Sequence, residues 1–213
     1  MTKKEASTDL WVYGLLNDSE VILEPQGSTI LEINEALKTA SKAGSKKVGF
    51  PEYVGVVKDF ILVIENKASL DKHVKLNEKG LISLEASDVK NFAINGALFY
   101  GKHLAKNTSY KKVIAFGISG DPRKHRISPL YIDETEYYRE LPDVESFISF
   151  NEKNIGEYYV REILKEETDV EKELTEILKD ASLLHKDLRN YRNLKDIDKP
   201  LIVSGILLAL REA

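Results

Sequence analysis

The most constraining feature of this sequence is a run of five consecutive apolar residues, 60–64, that ends in the polar residues 65–67. Such a run, rich in aromatic and β-branched residues, is typical of a strand buried on both faces of a sheet. A second β-rich run, 53–57, precedes it, and only residues 58–59 separate the two. The sequence therefore predicts a tight β-hairpin whose second strand is central.

A helix and a further strand are predicted after the hairpin. Residues 88–106 place apolar side chains on one face at helical spacing, and residues 111–120 form another β-rich run. A strand that follows such a helix returns parallel to the strand before it. Because the hairpin is antiparallel, the expected sheet is mixed and flanked by helices, which defines an α/β fold.

Before the hairpin, the pattern predicts two short strands, 10–16 and 20–24, and a helix that starts at residues 28–29 and ends near residues 43–44. After residue 150 the β signals disappear, and helical patterns cover residues 157–166, 170–191 and 199–211. We therefore expect two parts, an α/β domain over residues 8–150 and a helical connector over residues 151–213.

Composition restricts the function. The chain has 213 residues and no cysteine, which excludes disulfides and thiolate metal sites. The formal net charge of −4 supplies no overall basic field for binding DNA. No signal peptide or membrane-spanning segment is predicted, so a cytoplasmic protein with no membrane partner is expected.

The polar end of the central strand carries the candidate chemistry. Alternation along a strand puts Glu65 and Lys67 on the same face. Glu52 opens the partner strand of the hairpin, so its carboxylate can face Glu65 across the sheet. Two converging carboxylates repel each other, and a bound divalent cation removes that cost. Asp59 is the alternative second acid, but the hairpin places it in the turn at the far end.

Pro51-Glu52 and Glu65-Asn66-Lys67 resemble the PD-(D/E)xK signature of metal-dependent nucleases. Glu52 departs from that signature, because the family mostly has aspartate at this position. This resemblance implies a restriction-endonuclease-like core that hydrolyses DNA phosphodiesters with Mg²⁺ or Mn²⁺. Glu52 and Glu65 would then hold the metal, and Lys67 would be catalytic. Nucleases of this fold often take another acidic ligand from the first helix. Glu32 and Glu35 are the candidates there, and Glu35 is slightly preferred, although charges on a helix more often face water.

The predicted helix 88–106 is similar to the QxxxY helix of Type I restriction subunits. Tyr100 matches the tyrosine of that motif, but Gly96 stands where the glutamine is expected, with Asn95 beside it. The resemblance implies DNA contacts from Tyr100 and from Asn95.

Longer segments resemble restriction-modification enzymes of the Type IIG kind, in which a nuclease is fused to an N6-adenine DNA methyltransferase. These segments are GFPEYV, FILVIENKA, NGALFYGKHL, VIAFGISGD and KPLIVSGILLAL. The resemblance implies double-stranded DNA as substrate and methyltransferase and target-recognition domains in a parent protein. S-adenosylmethionine would bind only in that methyltransferase, and a dimer is possible for double-strand cleavage.

Three alternatives stay open. The acid and lysine can form a structural ion pair, since Asp88-Val89-Lys90 matches the same short pattern by chance. The fold can also be a catalytically inactive scaffold or DNA-contact module of a methyltransferase, because Glu52 and Gly96 depart from the family motifs. A repair nuclease that acts alone is disfavoured by the acidic net charge.

Overall fold

The computed structural model describes residues 3–42, 48–165 and 177–183. The chain divides into two compact units, Met1–Ile163 and Leu164–Ala213. The first unit carries the sheet and the candidate site. It extends past residue 150 because side chains after that point are buried in its core, among them Ile155, Tyr158 and Ile163.

Helices and strands both contribute to the described part of the chain. The helices are α1 (Lys3–Asp18), α2 (Leu31–Leu37), α3 (Ala86–Asn91), α4 (Ala93–Asn107) and α5 (Ile155–Tyr158). The strands are β1 (Glu24–Pro25), β2 (Tyr53–Val57), β3 (Phe60–Lys67), β4 (Lys112–Asp121), β5 (Lys124–Asp133) and β6 (Tyr138–Glu140). A π-helical turn, Tyr159–Leu164, continues α5.

One six-stranded sheet runs in the order β1-β2-β3-β4-β5-β6. The β3–β4 pair is parallel, and every other neighbouring pair is antiparallel. Helix α4 lies on the crossover between the two parallel strands, as predicted. The hairpin of β2 and β3 turns at Lys58, whose φ of +53° is left-handed. The predicted mixed sheet and α/β class are therefore confirmed.

The two faces of the sheet bury separate cores. Alternate residues of β3 divide between them, so Leu62 and Ile64 pack on the side of α1, and Ile61 and Val63 pack on the side of α2 and α4. By the same alternation, Glu65 points toward the α4 side. Strand β3 therefore places the carboxylate of Glu65 in a layer of apolar side chains.

The strand prediction for residues 10–16 is wrong, because these residues belong to α1. Thr8, Val12 and Leu16 are buried at intervals of four, whereas Leu10 is 73% exposed. That spacing is helical, although the segment is rich in residues that also favour strands. Of the strand predicted over residues 20–24, only Glu24 pairs in the sheet.

Two helix predictions need adjustment. Helix α2 ends at Leu37 rather than near residues 43–44, which lie outside the described residues. The helix predicted over residues 88–106 is two helices, because Phe92 adopts an extended backbone with φ −120° and ψ 139°.

The helical pattern predicted from residue 157 is confirmed as far as Leu164. Residues 177–183 are helical too, and the rest of the patterns over 170–191 and 199–211 lies outside the described residues. None of the described helices is long and apolar enough to cross a membrane.

Candidate metal centre

Glu65 forms the centre of the candidate site. Its side chain is 0% exposed, on the face of β3 that packs against α4. Neither of its carboxylate oxygens receives a hydrogen bond from the described residues. A buried carboxylate of this kind needs a positive partner, because desolvation of an isolated charge is very costly.

Glu52 lies just before β2, near Glu65. The β2–β3 register ends at the pair Tyr53–Ile64, and the Glu52 amide donates to the Ile64 carbonyl at 3.1 Å, so Glu52 is not a regular strand partner of Glu65. Burial, together with the negative charges of Glu65 and Asp9, raises the pKa of Glu52 to about 7. The charges of the two carboxylates therefore interact, although the strand register does not pair the two residues.

Two lysines neutralise Glu65 from different directions. Lys42 Nζ lies 2.6 Å from Oε1, and Lys67 Nζ lies 3.7 Å from Oε2. The ammonium group of Lys42 also lies 4.8 Å from the ring centroid of Tyr100. Lys67 is thus brought beside Glu65, as strand alternation predicts. Lys42 was not predicted, because it follows α2 and reaches the site only through tertiary packing.

Helix α4 covers Glu65 closely at Gly96. A Cβ atom at position 96 would lie 3.1 Å from Glu65 Oε2 and 3.0 Å from the Val89 carbonyl oxygen. The glutamine of the QxxxY motif would not fit here without a shift of its surroundings. Tyr100, one turn further along, is buried, and its burial and the nearby charge of Glu65 raise its pKa. Tyr100 therefore packs against the site.

Asp9 is a third carboxylate near the site that sequence reasoning missed. Its Oδ1 accepts a hydrogen bond from Asn66 Nδ2 at 2.8 Å, and its carbonyl accepts one from Tyr53 Oη at 2.9 Å. Asn66 points to the α1 side of β3, opposite to Glu65. Asp9 was missed because the following residues were predicted as a strand, which hid the helix that carries it.

Three other candidate residues lie elsewhere or are already engaged. Asp59 is in the hairpin turn and pairs with Lys112 at 2.8 Å, at the end of β3 away from Glu65. Glu35 is exposed and pairs with Lys38 on α2. Asn95 is buried and uses its amide to bond the backbone of Lys75 and Ser83, which leaves none of its donors for DNA.

A buried histidine lies on the same side of the sheet. His73 Nδ1 is 2.7 Å from Ser119 Oγ, and His73 Nε2 is 2.8 Å from Ser128 Oγ. Burial lowers the pKa of His73 to about 4, with Arg126 contributing in the same direction. The ring is therefore neutral near pH 7 and joins β4 to β5 through hydrogen bonds.

The donor set suits a hard divalent cation. Among residues 3–42, 48–165 and 177–183, no three His, Cys, Asp or Glu side chains cluster closely enough to form a complete protein cage. Mg²⁺ is commonly held by only one or two carboxylates, with water and substrate phosphate supplying the other oxygens. Glu52 and Glu65 are the two carboxylates that could hold such a cation, and Lys42 and Lys67 already contact the two oxygens of Glu65.

Comparison with known proteins gives one strong similarity. The chain is 39% identical, over 214 aligned positions, to the Type II restriction enzyme and methyltransferase RM.BcgI of Heyndrickxia coagulans. The match covers 100% of this chain and 33% of the relative, so the chain spans about a third of the relative's length. No family model and no solved structure matches the chain.

Proposed function

We propose that this chain is the metal-dependent DNA-cleaving domain of a restriction-modification enzyme, built as a PD-(D/E)xK nuclease. The name of the relative joins restriction with methylation, and the similarity extends over the whole chain. The observation that carries the proposal is the fully buried Glu65 at the end of β3, with Lys67 beside it and the carboxylate of Glu52 close enough to interact with it. The relative's name and the residues of the candidate site together support DNA as the substrate.

In the proposed site Glu52 and Glu65 hold Mg²⁺ or Mn²⁺, and Glu65 provides the buried ligand. When bound, the cation lowers the pKa of water and polarises phosphate oxygens. Lys67 contributes a positive charge next to the reacting phosphate. Its ammonium group can orient the attacking water and offset the charge that develops on the phosphate in the transition state.

The remaining domains of the parent protein are also proposals. The chain covers about a third of its relative, and we propose that the other parts carry the N6-adenine methyltransferase, with its S-adenosylmethionine, and the target-recognition domain. Because one such site cleaves one strand, two copies of the protein would meet on double-stranded DNA. Target recognition would then lie outside this chain.

A catalytically inactive scaffold is the second candidate function. It is favoured by the two lysines that already neutralise Glu65 and by the absence of a third acidic or histidine ligand among the described residues. A scaffold of this kind would keep the fold and position DNA for methylation without cutting it. It would have no need to bind a cation.

Cation titration and DNA cleavage by the full-length protein distinguish the two functions. We expect Glu52→Gln and Glu65→Gln to weaken Mn²⁺ binding about tenfold or more, because each loses a carboxylate ligand. Lys67→Ala should keep cation binding but cleave DNA on the order of 100-fold more slowly. Asp59→Asn, at the other end of the hairpin, is the matched control and should behave like the unmodified protein.

Adenine methylation should persist in all four variants, because the proposed methyltransferase lies in another part of the protein. Wild-type protein that methylates DNA but neither binds Mn²⁺ nor cleaves DNA would support the scaffold instead. Near-normal cleavage by the Lys67→Ala variant would reject a catalytic role for this lysine.

A further inference from the structure

Lys42 has no role in the proposed reaction, yet it makes the shortest contact with the central carboxylate. Its Nζ lies 2.6 Å from Glu65 Oε1, compared with 3.7 Å between Lys67 and Oε2. The two lysines contact different oxygens, so their positions are not equivalent. Lys42 therefore lies where a cation would approach Oε1.

We infer that Lys42 occupies the cation position on Glu65 when no metal is bound, and that DNA phosphate draws it away so that cation and DNA bind cooperatively. The inference rests on the proposed function and adds a means of regulating the same site. It assigns to Lys42 a positioning role in addition to the role of Lys67.

Geometry makes the two occupants of Oε1 exclusive. Mg²⁺ binds carboxylate oxygens at about 2.0 to 2.1 Å. An ammonium group already 2.6 Å from the same buried oxygen blocks that approach and repels the dication. Lys67 is farther away and on the other oxygen, so it can stay in place. We therefore expect a cation that binds Oε1 to displace Lys42 and to leave Lys67 in place.

The burial of Glu65 explains why a positive charge such as that of Lys42 is needed beside it. Glu65 is fully buried and receives no hydrogen bond from the described residues. Removing one partner of a buried ion pair leaves an uncompensated charge, which is strongly destabilising. Lys42 supplies a compensating charge in the protein without metal, and a cation would take over that function.

Lys42 is able to leave, because its side chain is 19% exposed while that of Glu65 is 0% exposed. The four-carbon stem of lysine is flexible, and its ammonium group binds phosphate as a point charge. Its cation–π contact with Tyr100 is a modest interaction. A DNA phosphate near the site would offer the ammonium group a second anionic partner.

Calorimetric titration of the full-length protein with Ca²⁺, with and without a short DNA duplex, tests the inference. Without DNA, Lys42→Met should bind Ca²⁺ about fivefold or more tightly than wild type, because the competitor is gone. DNA should raise the Ca²⁺ affinity of wild type several-fold and that of Lys42→Met much less. Lys38→Met, an exposed lysine near the end of α2 that pairs with Glu35, should match wild type in both titrations.

Thermal unfolding gives a second readout. Lys42→Met should melt below wild type without cation, and Ca²⁺ should raise its melting temperature by more than it raises that of wild type. Lys42→Met that binds Ca²⁺ no more tightly than wild type, or that stays unfolded in saturating Ca²⁺, overturns the inference and leaves the nuclease proposal intact. Failure of wild type and Lys42→Met alike to bind Ca²⁺ or Mn²⁺ would reject the metal site itself.

Discussion

At the scale of single residues, Gly96 determines how closely helix α4 can approach the candidate site. The absence of a side chain at this position lets α4 approach Glu65, because a Cβ there would meet both Glu65 Oε2 and the Val89 carbonyl. The departure from the QxxxY motif therefore has a structural reason in this chain. The helix therefore packs closely over the fully buried carboxylate of Glu65.

Gly96→Ala should destabilise the protein by about 1 to 2 kcal/mol, because the added methyl group crowds a packed interior. The matched control is Gly14→Ala in α1, where a Cβ would meet nothing within 4 Å. This control should be neutral or stabilising by up to about 1 kcal/mol, since alanine favours the helix. Urea denaturation measures both changes, and equal stability of the two variants would contradict the packing explanation.

The sequence predicts some residues of the site and not others. Lys67 can be placed beside Glu65 from the strand alone, since alternation is a local property of a strand. The position of Glu52 cannot be derived in this way, because it lies outside the paired residues of the hairpin. Lys42 and Asp9 reach the site by packing of α2 and α1 onto the sheet, and no local pattern indicates that packing. Their contribution could therefore be found only from the folded structure.

At the scale of elements, the hairpin and the β3–β4 crossover follow directly from the hydrophobic pattern, whereas α1 does not. Its sequence is apolar on more than one side, with Leu10 and Tyr13 exposed and Val12 and Leu16 buried. Packing against β3 and β4 therefore stabilises α1 as a helix, in a segment whose local sequence does not clearly favour helix over strand. An appended helix of this kind is harder to predict than a buried strand.

The hydrogen bond from Asn66 to Asp9 should hold α1 against β3. Asn66→Ala should cost about 1 to 3 kcal/mol, because a buried bond to a carboxylate is lost. Asn91→Ala, at an exposed asparagine that bonds only within α3, should cost less than that. A double-mutant cycle with Asp9→Ala measures the coupling, and fully additive effects would show that this bond does not dock the helix.

At the scale of the whole molecule, the net charge of −4 disfavours DNA binding by this chain alone. Non-specific DNA binding depends on phosphate neutralisation by lysine and arginine, with release of counterions. This chain should therefore bind random duplex DNA with a Kd above about 1 μM at physiological salt. Fluorescence anisotropy across a salt series measures it, and sub-micromolar binding would show that the chain has a DNA-binding surface of its own.

The two edges of the sheet have a consequence for assembly. In the part of the chain that the structure describes, β1 has only two residues, one of them Pro25, and β6 has only three. Short edge strands and proline offer an incoming strand few backbone groups to pair with. The long apolar strands lie inside the sheet and are protected from intermolecular pairing. Two copies of the protein that meet on DNA would therefore have to associate through helices or loops, because the sheet is a poor template for extension from one copy into the next.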